Sequence, residues 1–276
     1  MFLFKNMKCK ITTLVENCVY GRKLQAEHGL SLYVEVGNHV VLFDTGASDL
    51  FVRNARLLHC DLQQVDYLIL SHGHSDHAGG LEAFLEINRK AKVICKREAL
   101  DPKFKGNREN GIRHAARLDM SRFMFVDKTS EILPGIWVFP DLPVINENDT
   151  HFEHFLVRRN GELVPDRFED ELALILKGEE GMTVLSACSH RGITNILRSV
   201  SSFFYNCRLK MIIGGFHIHN ASPDKDNVIV AGLKDSLPDE LGVCHCSGVD
   251  KYAFFYSLWG DMVFYNHTGC VKEIEL

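Results

Sequence analysis

Leu70-Ser71-His72-Gly73-His74-Ser75-Asp76-His77-Ala78-Gly79-Gly80 sets three imidazoles and a carboxylate within six consecutive positions. The residues before it, Val65 to Leu70, are short, branched and aromatic, which predicts a buried strand. After it, Leu81, Phe84 and Leu85 recur at helical spacing, so a helix follows. The cluster therefore sits where a strand hands over to a helix, a place from which short side chains converge on one point. His72 and His74 are two apart and leave an extended segment on the same side. Asp76 and His77 are adjacent and are expected to point apart, far enough to serve two ions a few ångströms from each other. Neutral imidazole and carboxylate together suit zinc, iron or manganese. Two such ions lower the pKa of a shared water and clamp the attacking and leaving oxygens. Gly73 and the pair Gly79-Gly80 let backbone come close. The plain alternative is a His-rich surface loop, but a random chain seldom sets His-x-His-x-Asp-His after a buried strand.

Working outward, Lys8 to Val15, Ser31 to Val36 and His39 to Phe43 alternate as strands, with Gly37-Asn38 as a hairpin turn. Asp44-Thr45-Gly46 closes the hairpin, and Ser48 to His59 reads as a helix capped by Ser48 or Asp49. His28 lies in a polar loop between the first strands and reads as a solvent-exposed histidine. Lys92 to Cys95 is a further strand. Residues 96–127 are then basic and weakly periodic, as expected of a lid or substrate loop. Lys96, Arg97, Lys103, Lys105, Arg108, Arg113 and Arg117 offer charge for a phosphorylated substrate, against the commoner reading of a solvated face. Ile132 to Phe139 and Glu162 to Val164 are expected at the edge of a second sheet. His151 and His154 read as loop histidines. Met182 to Ala187 is a core strand that delivers Cys188-Ser189-His190. Met211 to Gly215 leads to His217, a candidate metal ligand or substrate hydrogen-bonder. Val243 leads to Cys244-His245-Cys246, where packing on a strand is the favoured role for the two cysteines. Leu258 to Tyr265 and Val271 to Ile274 are expected to finish the second sheet.

The composition bounds the partners. The 276 residues are 46% hydrophobic and 24% charged, ordinary values for a globular chain with one substantial α/β core. A net charge of −5 without a basic stripe argues against nucleic acid. No apolar run reaches the length of a membrane span, and the first ten residues are too short for a secretory signal. Either Met1 or Met7 serves as the start. Nine cysteines, odd in number and without framework spacing, fit a reducing, cytoplasmic setting. Cys9, Cys18, Cys60, Cys95 and Cys207 are expected to be small buried residues. There is no repeat or Pro/Gly/Ser-rich linker, so a single domain over 1–276 is expected.

Ser71 to Gly80 resembles the signature of the metallo-β-lactamase superfamily. Phe43-Asp44-Thr45-Gly46, Ala187-Cys188-Ser189-His190-Arg191-Gly192-Ile193, Gly214-Gly215-Phe216-His217 and Cys244-His245-Cys246-Ser247-Gly248 resemble one branch of it. Members of that branch are usually labelled metal-dependent hydrolases. It is also similar to the dihydropterin–ribofuranosylaminobenzene phosphate synthases of methanopterin synthesis. The resemblance spans roughly residues 8 to 270. It implies a four-layer αββα sandwich with a dinuclear metal site along one edge between the sheets.

It further implies that His190 and His245 are the later metal ligands. His72, His74 and His190 would then hold one ion, and Asp76, His77 and His245 the other. The bridging aspartate common in the superfamily is absent beside His190. Asp44 is implied to be a buried carboxylate that orders the ligand loop; an Asx turn is the plainer reading. Glu171, in an acidic-then-apolar stretch that family members share, is expected to hydrogen-bond near the site. Proton delivery is expected from a metal-bound water, from Asp76 or from His217. Three readings follow for a small-molecule substrate. The first is hydrolysis of an ester, phosphoester or lactone by metal-bound hydroxide. The second is a transferase like the pterin synthases. The third is a di-iron redox or binding module. Zinc leads the metal candidates, with iron and manganese behind it. Oligomeric state is not legible.

Overall fold

A computed structural model describes residues 8–276; the choice between Met1 and Met7 lies outside them. Two seven-stranded sheets face each other, and helices cover the outer face of each, giving the expected αββα sandwich. In spatial order the first sheet runs Val271–Glu275, Lys8–Val15, Ser31–Val36, His39–Phe43, Tyr67–Ile69, Lys92–Cys95 and Phe123–Phe125. The second runs Val263–Tyr265, Glu240–Val243, Leu209–Gly214, Met182–Ser186, Ala173–Lys177, Ile136–Phe139 and Ser130–Leu133.

The strands are apolar on both faces because each sheet is covered twice. Leu32, Val34, Phe43, Ile69 and Ile94 point into the core between the sheets, against Val138, Leu174, Leu185 and Ile213. Their neighbours Tyr33, Leu42, Leu68 and Val93 point outward onto Phe51, Leu81 and Phe84. On the other side Val184, Ile212 and Leu241 meet Ile196, Val200, Ile229 and Phe255. Burying each such side chain contributes about 1.5–3 kcal/mol, so this period of two on two covered faces fixes the register.

The connections decide where the chemistry sits. His39–Phe43, Tyr67–Ile69 and Lys92–Cys95 run parallel, joined through the helices Leu50–Leu57 and Leu81–Ile87. In the second sheet Met182–Ser186, Leu209–Gly214, Glu240–Val243 and Val263–Tyr265 are also parallel. Their crossovers are the helices Ile193–Phe203, Pro223–Lys234 and Gly248–Trp259. Register pairs Phe43 with Ile69 in one sheet, and Ser186 with Gly214 and Gly214 with Val243 in the other. The carboxyl ends of all these strands therefore line up along one edge, where loops of parallel sheets form binding sites.

Several expectations change. Val271–Glu275 does not finish the second sheet; it pairs antiparallel with Lys8–Val15 at the edge of the first. Glu162–Pro165 is no edge of the second sheet either. It belongs to a small third sheet, with Phe155–Arg159, Lys103–Lys105 and Arg108–Glu109. Residues 96–127 are not an unstructured loop: they hold two of those strands, three 3₁₀ turns and Phe123–Phe125, which joins the first sheet. The helix expected over 48–59 runs only from Leu50 to Leu57, and Asp49 makes no side-chain cap. Ser48 Oγ instead accepts the Leu50 N–H at 3.1 Å. Cys18 and Cys207 are half-buried rather than buried. Among the described residues no helix is long and apolar enough to cross a membrane.

Candidate metal centre

The strand Tyr67–Ile69 ends against Asp44, whose carboxylate organises the turn that follows. Asp44 Oδ1 accepts the Ser71 N–H at 2.8 Å. Asp44 Oδ2 accepts the Ser71 hydroxyl at 2.6 Å and the His77 Nδ1–H at 2.8 Å. The Ser71 oxygen, having given its proton away, accepts from His72 Nδ1 at 2.9 Å. One fully buried carboxylate thereby fixes the orientation of two imidazoles and turns each Nε2 inward. His190 Nδ1 donates to the His151 carbonyl at 3.2 Å, and His245 Nδ1 to Asn17 Oδ1 at 2.9 Å. These two rings also turn Nε2 inward. Gly73 allows the turn because a Cβ there would lie 2.1 Å from the Ala99 carbonyl oxygen.

The inward atoms form two main groups, and a third set, Cys188, His190 and His217, overlaps both. His72, His74 and His190 each offer a nitrogen within 4.8 Å of the others, and the Nε2 atoms of all three are buried without a hydrogen-bond partner. Asp76, His77, His245 and Cys188 form the second group within the same limit. Asp76 Oδ2 lies 3.3 Å from His245 Nε2 and 3.6 Å from His77 Nε2. His77 Nε2 lies 3.1 Å from His245 Nε2. Asp76 and His77 therefore converge rather than point apart, because they share the first turn of the short helix Ser75–Ala78. Orphaned buried nitrogens are costly without a cation among them, and these donor sets fit divalent metal.

Electrostatics divide the groups in the metal-free chain. Burial, reinforced by neighbouring histidines, holds His72, His74 and His190 well below the usual imidazole range, so they are neutral and ready to ligate. Burial also opposes charge on His77, but Asp76 and Asp44 outweigh it and hold that ring at about 9. Asp76 is resisted by its own burial, yet His77, His245 and His28 keep it well below the ordinary carboxylate range.

Backbone strain marks the same edge. Asp44, Ser189, His217 and His245 all adopt left-handed φ, between 51° and 60°, which costs roughly 1–3 kcal/mol each for residues other than glycine. Glu171 holds the His190 turn by accepting the His190 and Arg191 N–H groups at 2.7 Å each, and burial pushes it up to about 7. The His190 ring stacks on Phe168, with centroids 3.7 Å apart. Asp170 Oδ2 accepts the Gly73 N–H at 2.7 Å, and Lys103 joins Asp170 to Asp166 at 3.0 and 2.7 Å. Lys103 is thus a buried strut and not a substrate-binding cation.

A cleft of about 850 Å³ opens over both groups, with His74, Asp76, Cys188, His190 and His245 in its wall. His217 lines it too, beside the His190 ring, with a buried and unpartnered Nδ1. Of the seven basic residues of 96–127 singled out above, only Lys105 and Arg108 reach the cleft, carried there by the third sheet. His28 is largely exposed, as expected, yet its Nε2 comes within 3.4 Å of Asp76. Cys188 is the group that sequence reading passed over as a ligand; Cys188-x-His190 repeats the spacing of His72-x-His74 after a strand. Cys246, flanking His245, joins neither group, and its sulfur accepts the His217 N–H at 3.2 Å.

Comparison with known proteins identifies the family. The crystal structure of a metal-dependent hydrolase of the beta-lactamase superfamily matches at a TM-score of 0.82 and 33% identity, over 97% of this chain and 100% of that one. An uncharacterised protein of Methanocaldococcus jannaschii is 31% identical over 96% of this chain and all of its own length. The 7,8-dihydropterin-6-methyl-4-(beta-D-ribofuranosyl)-aminobenzene-5'-phosphate synthase of the same organism is 27% identical over 87% of each chain. The family model described as the metallo-beta-lactamase superfamily matches residues 25–179. With most of both sheets and the histidine turn inside these matches, the chain belongs to the metallo-beta-lactamase superfamily.

Proposed function

We propose that the protein is a metal-dependent hydrolase of a small ester, phosphoester or lactone. The observation that carries this is the set of unpartnered, buried Nε2 atoms on His72, His74 and His190, aimed at one point in the wall of a cleft. His72, His74 and His190 would hold one divalent ion, and Asp76, His77 and His245 the other. Such ions polarise the scissile oxygen and make water nucleophilic at neutral pH. The chain supplies the rest. Asp44 and Ser71 orient His72 and His77, and Asn17 orients His245. His217 lines the cleft and would hand a departing group its proton; Asp76, kept well below the ordinary carboxylate range, would act as a ligand and not as the acid. Turnover of a phosphoester and lactone panel, before and after chelation, tests the proposal. Activity should vanish on chelation and in His72→Ala, and return with metal only in the parent chain; activity indifferent to both rejects it.

The transferase reading is supported by the likeness to the pterin synthase and by Lys105 and Arg108 at the cleft, which suit a phosphorylated substrate. Pyrophosphate release from a dihydropterin diphosphate in the presence of an aminobenzene ribofuranoside phosphate would favour it over hydrolysis. Absence of release with that acceptor would discard it.

A further inference from the structure

We propose that Cys188 is a metal ligand, its thiolate completing the ligand set of the ion held by Asp76, His77 and His245. The proposal rests on the two-ion reading above and gives its two sites different jobs. The Cys188 sulfur is buried and lies 3.1 Å from His77 Nε2. That nitrogen also faces His245 Nε2 at 3.1 Å, and a single proton between them could serve only one of these neighbours. A cation among all four groups serves every one. Ligands at about 2.0–2.3 Å from a tetrahedral ion stand roughly 3.3–3.8 Å apart. The separations here, 3.1 Å for sulfur to His77, 3.1 Å for His77 to His245, 3.3 Å for Asp76 to His245 and 3.6 Å for Asp76 to His77, come close to that figure before any ion draws the groups into place.

The turn is built to present this sulfur. Cys188 follows the strand Met182–Ser186, and the next residue, Ser189, is held in the left-handed conformation by hydrogen bonds of its hydroxyl to Ser186 Oγ and the Gly215 carbonyl, both 2.8 Å. The neighbouring Cys246 is occupied otherwise, with its thiol turned to the Cys188 carbonyl and its sulfur accepting from His217. On loading, the Cys188 S–H proton leaves to solvent and a sulfur–metal bond forms, with no change of oxidation state.

The consequence is an asymmetric centre. Four protein ligands close the coordination of one ion, whereas His72, His74 and His190 leave the other with an open position, the arrangement that separates structural from catalytic zinc. Water activation then belongs to the three-histidine ion. The soft sulfur also favours zinc over manganese at the closed site.

Cobalt(II) added to the metal-stripped chain tests this without any substrate. A sulfur-to-cobalt charge-transfer band should appear in the near ultraviolet, disappear in Cys188→Ser and persist in Cys246→Ser. X-ray absorption on the zinc-loaded parent should find sulfur at about 2.3 Å, one for every two zincs; this measurement stands even if Cys188→Ser does not fold. Two bound ions with no band and no sulfur shell overturn the Cys188 assignment and leave the two-ion reading intact. A band that survives in Cys188→Ser overturns it as well, and sulfur at both zincs overturns the closed-and-open division. A parent chain that binds no ion overturns both proposals.

Discussion

Asp44 does more at the site than any other single residue, because three donors end on its two oxygens. An amide in its place would turn an N–H toward His77 Nδ1–H. The ring would then adopt the other tautomer, with the proton on Nε2 where the metal belongs. Asp44→Asn should therefore lower metal affinity about 10–100-fold with little change in fold, read by competition with a chelator. Unchanged affinity would mean that the imidazoles do not depend on Asp44. The pH dependence follows from His77. Below about 9 the metal-free ring carries a proton that an entering ion must expel, whereas His72, His74 and His190 are already neutral. Affinity at the Asp76–His77–His245 site should rise about tenfold per pH unit for each proton displaced as pH approaches 9. Titrations between pH 7 and 9 that find that site indifferent to pH would count against the assignment. At this scale the sequence was readable in residue type and spacing but not in direction. His-x-His-x-Asp-His announces ligands, yet the tautomers depend on Asp44, Asn17 and the His151 carbonyl, which only folding brings near.

Between elements, the third sheet is tied to the histidine turn by one buried strut. Lys103, on the strand Lys103–Lys105, reaches Asp166 and Asp170, and Asp170 in turn holds Gly73. Lys103→Met removes the buried cation between Asp166 and Asp170 and leaves two buried carboxylates facing each other. It should cost about 3–5 kcal/mol, seen as a lower denaturant midpoint. A loss below about 1 kcal/mol would show that the carboxylates find other compensation. This strut was illegible in the sequence, where Lys103 looks like the other basic residues of 96–127. A charge pattern gives no sign of which lysine is buried. Val271–Glu275 taught a similar lesson: alternation identifies a strand, while its partner is chosen by long-range packing against Lys8–Val15.

Across the whole molecule, the two sheets contribute unequal halves of one edge. The first brings Asp44 and the 72–77 turn, and the second brings Cys188, His190, His217 and His245 at the ends of three parallel strands. That architecture was legible in part: strands that end in a histidine and lead into a helix announced where the ligands sit, while the αββα sandwich was implied by the resemblance of Ser71 to Gly80 to a family signature. The core between the sheets holds the two halves together. Phe43→Ala should cost about 3–5 kcal/mol in thermal or denaturant unfolding, because the side chain is fully buried in that core. A loss under about 1 kcal/mol would mean that the intersheet core closes over the cavity. The convergence itself is tested most directly by elemental analysis of the purified chain after exhaustive dialysis against metal-free buffer. Two divalent ions per chain are predicted, falling to one in His74→Ala, from the first sheet, and to one in His245→Ala, from the second. A metal content that neither substitution changes would contradict the account.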